Sequence, residues 1–179
     1  VFEKRQLLVE SFIPIFNEYY QTICRSTEQV GLGYISQLAD RNLAESLAAN
    51  RERDRILGYT SNGVHKDELE MTLNEQLIRR VGSQGQNKTY LIALKLAQFA
   101  FLTRKGQTTP ILLLDDIFDK LDAARVAEII KLVSGDSFGQ IFITDTNRKY
   151  LDEILQAMNH DYALFRVEQG EVQPMEDQP

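Results

Sequence analysis

Two adjacent acidic residues that follow a short apolar run are the first candidates for chemistry. The run is ILLL at 111–114, and Asp115 and Asp116 come directly after it. A single carboxylate at such a place suits Mg²⁺, which prefers oxygen ligands and keeps several of its waters. The second carboxylate can orient or deprotonate a water that attacks a phosphate. Capping of the next helix, whose N-terminal dipole favours negative charge, is the alternative interpretation.

A second polar segment, GSQGQNKT at 82–89, lies where a long apolar helix is predicted to start. Glycine lets a backbone approach a ligand closely, and the amides of a helix N-terminus attract phosphate oxygens. A degenerate P-loop is one interpretation, because Gly82, Lys88 and Thr89 match the spacing GxxxxGK[ST]. However, Asn87 replaces the second glycine of that pattern, and the preceding QLIRRV is a poor buried strand. We therefore favour a phosphate-binding turn of another kind.

Strands and helices alternate in the second part of the chain, which predicts an α/β layer fold. ILLL is typical of a central strand in a parallel sheet, where ligands bind beyond the carboxyl ends of the strands. The earlier part shows mainly helical periodicity, and the acidic end EVQPMEDQP is expected to be a solvated tail. The pattern predicts strands at 69–73, 111–114, 141–144 and 162–167, a turn at 74–75, and helices at 86–104 and 126–133.

The composition excludes several classes of protein. Of the 179 residues, 43% are hydrophobic and 26% are charged, which is ordinary for a globular domain. Apolar runs such as YLIAL at 90–94 are far shorter than the ~20 residues that span a bilayer, so we expect no membrane segment. One cysteine, Cys24, and no signal-peptide pattern predict a cytoplasmic protein. Val1 falls inside an amphipathic pattern, which favours a natural start upstream.

The charge balance limits where nucleic acid could bind. The net charge is −6, from 20 Lys and Arg against 26 Asp and Glu, so a basic footprint over the whole surface is excluded. Any DNA contact must be local or lie elsewhere in a longer protein. Arg51, Arg53 and Arg55 are a local candidate, but acidic residues alternate with them. A solvated helix face with internal ion pairs is the favoured interpretation of this cluster.

Four motifs in order resemble those of the RecF family of bacterial DNA repair proteins. They are GVHKDEL at 63–69, GSQGQNKT, the helix LIALKLAQ, and PILLLDDIFDKLD at 110–122. The resemblance implies an α/β fold, the head lobe of an ABC-type ATPase, with a mainly helical second domain. It implies a helical segment at 1–57, the carboxyl-terminal part of the ATPase domain at 58–170, and an acidic tail at 171–179.

The resemblance also implies roles for individual residues. Asp115 would be the Walker B carboxylate that holds Mg²⁺ through water, and Asp116 would polarise the attacking water. Asp122 would lie in the D-loop at a dimer interface, and Thr144 and Asp145 would occupy the switch position. A signature turn would contact the γ-phosphate of ATP bound to the other subunit, and it comprises Ser83, Gln84, Gly85 and Gln86. The Walker A lysine of the family lies in an amino-terminal half that this sequence lacks.

Members of the family dimerise on binding ATP, bind DNA at gaps and junctions, and help RecO and RecR to load RecA. The resemblance therefore implies ATP and Mg²⁺ as cofactors, and DNA, RecR, RecO and a second copy of the chain as partners. Three departures from the family pattern are Val64 for proline, Lys120 for an acidic D-loop residue, and Asp145 for the histidine of many ABC ATPases. Asp145 and the short side chain of Asp116 favour slow hydrolysis by the full protein. We expect the fragment alone, without the Walker A half, to be inactive.

Two other classes of function stay open at this point. A self-contained P-loop kinase or NTPase would use Lys88 and Thr89 as ligands of phosphate and Mg²⁺. A non-enzymatic Mg²⁺-binding α/β module of the receiver type would use the acidic pair, Asp115 and Asp116, but the sequence offers no clear partner lysine at the end of a later strand. A purely structural interaction domain explains neither the signature turn nor its spacing to the acidic pair.

Overall fold

The computed structural model describes residues 1–25, 28–106, 108–135, 137–146, 148–157 and 161–175. The α-helices are α1 (Phe2–Cys24), α2 (Leu43–Leu57), α3 (Ile78–Val81), α4 (Gln84–Lys105), α5 (Ala123–Val133) and α6 (Arg148–Ala157). The strands are β1 (Val30–Ile35), β2 (Glu68–Leu73), β3 (Gln76–Leu77), β4 (Leu112–Asp115), β5 (Ile141–Thr144), β6 (Leu164–Glu168) and β7 (Glu171–Met175). Among these described residues, no helix is both long and apolar enough to cross a membrane.

The strands pair in three small sheets. β1, β2 and β3 form an antiparallel sheet in that order, and β6 pairs with β7 as an antiparallel hairpin. β4 and β5 are parallel, and Asp115 is opposite Thr144 at their carboxyl ends. Helix α5 connects β4 to β5, as a parallel pair requires. The predicted parallel sheet is therefore confirmed, and its carboxyl edge carries the acidic pair.

The core forms where α1 packs on α4. Phe16, Tyr20 and Tyr90 are buried there, with 4.7 Å between the ring centroids of Phe16 and Tyr90. The Tyr90 hydroxyl donates a hydrogen bond of 2.6 Å to the carbonyl oxygen of Gly31 in β1. Aromatic rings bury a large apolar area, and the buried hydroxyl needs such a partner. This cluster therefore fixes α4 against both α1 and the antiparallel sheet.

Strand β4 is buried on one face only, contrary to the sequence expectation for a central strand. Leu112 and Leu114 belong to the hydrophobic core, whereas the side chain of Leu113 is 64% exposed. Alternate residues of a strand point to opposite faces, and the core residues of α4 and α5 cover just one of them. A continuous apolar run in the sequence does not show whether a strand is buried on one face or on both.

Strand β1 was not predicted, because the first part of the sequence shows mainly helical spacing. Its sequence VGLGYI contains two glycines, which weaken the strand signal. At Gly31, a Cβ atom would clash with the hydroxyl oxygen of Thr72 on β2, so a larger residue would require the Thr72 side chain to move. β1 pairs with β2, which lies beyond residue 57. The division into domains at residue 57 stays a prediction.

The acidic end also contains a strand, so the expected tail is wrong for residues 171–175. These residues form β7 and pair with β6. Gln169 and Gly170 both have positive φ, 52° and 84°, which suits a tight turn between two strands. In this hairpin Val172 lies opposite Val167. The strand was not predicted, because the acidic composition of the segment weakens the alternating pattern. Residues 176–179 lie outside the described residues.

The hydrogen bond of Tyr90 gives a test of this packing. Tyr90→Phe should lower the free energy of unfolding of the chain by about 1–2 kcal/mol, because it leaves a carbonyl in the core without its partner. Chemical denaturation measures the change. Tyr59→Phe is the matched control, since Tyr59 is exposed and should change stability by less than about 0.5 kcal/mol. Equal effects of the two substitutions would contradict the packing described here.

Candidate functional site

The signature turn begins helix α4 and is held by its own side chains. The Ser83 amide donates to the Gln86 side-chain oxygen at 2.8 Å, and the Gln86 amide donates to the Ser83 hydroxyl at 3.2 Å. This reciprocal capping box satisfies two of the amides that a helix start leaves without carbonyl partners. The amides of Gln84 and Gly85 in the same turn have no carbonyl to bond within the helix. The turn can therefore offer these amides and the Ser83 hydroxyl to an anion.

Gly85 lies against the loop that follows the acidic pair. A Cβ atom at this position would lie 3.0 Å from the carbonyl oxygen of Lys120 and 3.3 Å from the guanidinium of Arg125. A side chain at Gly85 would have to displace the backbone of that loop. Glycine is thus required by a close approach of two chain segments, which brings the signature turn into contact with the proposed D-loop.

A carboxylate from a distant loop fixes the side chain of Gln86. The side-chain Nε2 of Gln86 donates to one oxygen of Glu28 at 2.8 Å, and the Tyr20 hydroxyl donates to the other at 2.8 Å. Burial raises the pKa of Glu28, but these two bonds and the nearby charge of Arg125 lower it more, so the pKa lies below its usual value. Glu28 is therefore ionised at neutral pH. Sequence analysis missed Glu28, because no local pattern connects it to the signature turn.

The structure does not favour the P-loop interpretation, because much of the segment that it needs as an open loop is helical. Helix α4 starts at Gln84, and the Asn87 side chain donates to the carbonyl oxygens of Gly82 and Ser83, both at 2.9 Å. Thr89 is fully buried, and its hydroxyl donates to the carbonyl oxygen of Gly85 at 2.8 Å. The proposed Mg²⁺ ligand of that alternative therefore faces the protein interior.

The acidic pair lies at the edge of the parallel sheet, and both of its side chains are exposed. The Thr144 hydroxyl on β5 donates a hydrogen bond to the carboxylate of Asp115. The chain turns at the next residue, since Asp116 has a φ of +45°, and its amide donates to the carbonyl oxygen of Thr144 at 2.9 Å. A left-handed residue other than glycine costs roughly 1–2 kcal/mol, least for Asp and Asn. The turn, in addition to strand alternation, separates the environments of the two acids.

The proposed switch and D-loop residues lie beside this turn. The Asp145 carboxylate accepts a hydrogen bond from the Phe118 amide at 3.3 Å, which joins the end of β5 to the loop after the acidic pair. The Asp122 carboxylate accepts one from the Arg125 amide at 2.9 Å and caps helix α5. The Asp122 side chain is still 56% exposed. The structure thus brings the predicted residues of β4, β5 and the D-loop together at one edge of the sheet, although their roles stay predictions.

Two features that the sequence singled out lie outside this cluster. The His65 ring bonds the carbonyl oxygen of Thr60 at 2.9 Å. The arginine cluster lies on α2, which buries none of its side chains, and Arg55 contacts Glu52 at 3.4 Å. That contact fits the interpretation as a solvated helix face. Neither feature belongs to the candidate site.

Comparison with known proteins gives a consistent picture. No family model matches the chain. It is 81% identical over 177 residues to the DNA replication and repair protein RecF of Parabacteroides distasonis, covering 99% of this chain and 48% of that protein. It is 61% identical over 175 residues to the RecF of Bacteroides thetaiotaomicron, covering 98% of this chain and 47% of that protein.

Solved structures show the same fold at low sequence identity. The recombination mediator protein RecF-ATPrS has a TM-score of 0.72 at 20% identity and covers 98% of this chain and 46% of that one. An Smc head bound to a domain of ScpA has a TM-score of 0.58 at 16% identity and covers 93% of this chain and 42% of that one. The expected α/β head fold is confirmed, and the alternative interpretations are not favoured. This chain therefore belongs to the RecF family of DNA replication and repair proteins, and it spans about half the length of the curated relatives that it matches.

Proposed function

We propose that this chain supplies the signature turn and the acidic pair of an ATP-dependent dimer that acts in DNA repair and replication. The main observation that supports the proposal is the solvent exposure of the signature turn and of the acidic pair. Ser83, Gln84, Asp115, Asp116 and Asp122 all face solvent, although stabilisation of a reacting phosphate is strongest where water is excluded. The site therefore needs a covering surface, and a second copy with ATP between the two subunits provides one.

In this arrangement the signature turn binds the γ-phosphate of ATP held by the other subunit. The Ser83 hydroxyl and the amides of Gln84 and Gly85 supply the donors, and the dipole of α4 favours the negative charge. Because Gln86 is held by Glu28 and by the capping box, these donors are arranged before the phosphate arrives. A preorganised turn loses little conformational entropy on binding. Nucleotide binding then increases the dimer population, and hydrolysis lowers it.

The acidic pair acts on the nucleotide of its own subunit. Asp115 suits a magnesium site, since Mg²⁺ takes one or two carboxylates together with waters and substrate phosphates. Among the described residues, no three His, Cys, Asp or Glu side chains lie close enough to hold a metal alone, so phosphate oxygens and waters would complete the shell. Bound Mg²⁺ would neutralise charge on the phosphates. Asp116 orients and polarises the attacking water, while Thr144 fixes the Asp115 carboxylate.

The remaining assignments concern the whole protein. Asp122 lies at the dimer interface, and Thr144 and Asp145 respond to the state of the nucleotide beside them. One similar structure, at 16% identity and a TM-score of 0.53, comes from work on ATP-driven dimerisation and DNA-stimulated activation of SMC ATPases, which supports the same cycle here. DNA at gaps and junctions, RecR and RecO are the proposed partners, hydrolysis is slow, and the protein works in the cytoplasm. The negative net charge of the chain supports DNA contacts that are confined to a local surface.

The first prediction concerns the signature turn. In the full-length protein, Ser83→Arg should leave ATP binding nearly unchanged but weaken ATP-dependent dimerisation at least about tenfold, because it buries bulk and an unpaired charge in the interface. Sedimentation with and without ATP measures the dimer. Gln98→Arg, which adds the same group at an exposed site further along α4, is the control and should dimerise normally. Normal ATP-dependent dimers of Ser83→Arg would contradict the proposal.

The second prediction concerns the acidic pair. Asp116→Asn in the full-length protein should lower ATP turnover by a factor on the order of 10², because the amide cannot accept a proton from the attacking water. It should also prolong the lifetime of ATP-bound dimers. Asp119→Asn, an exposed substitution in the same loop, is the matched control and should hydrolyse ATP at the parental rate. Unchanged turnover in Asp116→Asn would remove Asp116 from the mechanism.

A further inference from the structure

The side chain of Lys88 joins the helix of the signature turn to the acidic pair. Its ammonium donates a hydrogen bond of 2.5 Å to the backbone carbonyl oxygen of Asp116, 28 positions later in the chain. Lys88 lies on α4, five residues after Ser83. The P-loop interpretation is not favoured, and nothing in the proposed function uses this lysine, although it bridges the two groups on which that function depends.

Helix α4 can transmit a displacement of its first turn to Lys88. The Asn87 side chain bonds the carbonyl oxygens of Gly82 and Ser83, and the Thr89 hydroxyl bonds that of Gly85, so the first two turns are tied together. The following turns are packed in the core through residues such as Tyr90. A helix held in this way resists bending within its first turn, so strain at the signature turn is transmitted to Lys88.

Lys88 contacts the backbone of Asp116, which has an unusual conformation. Its left-handed conformation lies outside the regions that residues other than glycine usually adopt, so surrounding contacts must maintain it. The carbonyl of Thr144 binds the Asp116 amide, and the Lys88 ammonium binds the Asp116 carbonyl. These two bonds anchor the backbone segment from which the Asp116 carboxylate projects.

We propose that Lys88 is a positioning residue that couples the signature turn to Asp116 of the same subunit. When the turn engages a phosphate on the partner subunit, α4 and Lys88 hold the Asp116 backbone in the orientation that hydrolysis requires. Closure of one active site of the dimer therefore promotes hydrolysis at the other. Lys88 touches neither the phosphate nor the water, and this inference rests on the proposed function.

The test uses the full-length protein with Lys88→Met, which keeps the length of the side chain but removes its donor. Lys95→Met, the same change at an exposed position of α4, is the matched control. We expect Lys88→Met to bind ATP with an unchanged KM and to dimerise within about threefold of the parent. Its turnover per dimer should fall at least about tenfold, and Lys88→Arg, which keeps a charged donor, should recover most of it.

Two results would overturn the inference. One is turnover of Lys88→Met within twofold of the parent. The other is a parallel loss of dimerisation and turnover in both Lys88→Met and Lys88→Arg, which would indicate a merely structural role. Asp116→Asn, measured alongside, separates this inference from the proposed function. If Asp116→Asn is inactive while Lys88→Met is normal, the coupling alone is wrong, whereas normal turnover in Asp116→Asn refutes the proposed function and the coupling with it.

Discussion

The packing of helix α4 into the core determines where both parts of the candidate site lie. Its buried face meets α1 and the antiparallel sheet, and the Tyr90 hydroxyl bonds β1. Its first turn is the signature turn, and its second turn carries Lys88 to the backbone of Asp116. Because a close-packed interior resists deformation, the separation between the proposed phosphate-binding donors and the acidic pair is set by the core. The chemistry of the site thus depends on an apolar interface that contains no catalytic group.

Polar contacts fix the side chains and turns of the site on the framework that the core provides. Glu28 holds Gln86 from one side, and Thr144 and Asp145 hold the turn of the acidic pair from the other. Each of these contacts joins segments that are far apart in sequence. The exposed faces of the site are left without a cover in the single chain, which is the physical basis for expecting that a second subunit completes them. A site divided in this way makes nucleotide binding and association one linked equilibrium.

The sequence predicted the elements whose signal is local. The alternation of LEMTL, the apolar run of β4 and the periodicity of α4 and α5 correspond to observed elements within a few residues. Strands β1, β3 and β7 were missed, because glycines, short length and acidic composition weaken the pattern that a half-buried strand needs. The motifs of the site were recognised from their order. The part played by Glu28 and the proposed role of Lys88 were not predicted. Each depends on a contact between residues that lie 28 or more positions apart in the sequence.

The central claim is that each site combines the acidic pair of one subunit with the signature turn of the other. Mixing two inactive full-length variants, Ser83→Arg and Asp116→Asn, tests it directly, because a mixed dimer contains one site with both groups intact. We predict that ATP turnover per mixed dimer exceeds that of either variant alone and reaches at most about half of the parental value. Coupling through Lys88 lowers this recovery roughly tenfold, because the intact acidic pair lies in the subunit whose own signature turn is altered. A tagged subunit is used to count the mixed dimers. Mixed dimers that form but stay inactive would contradict the account, since they would show that both groups must act within the same chain.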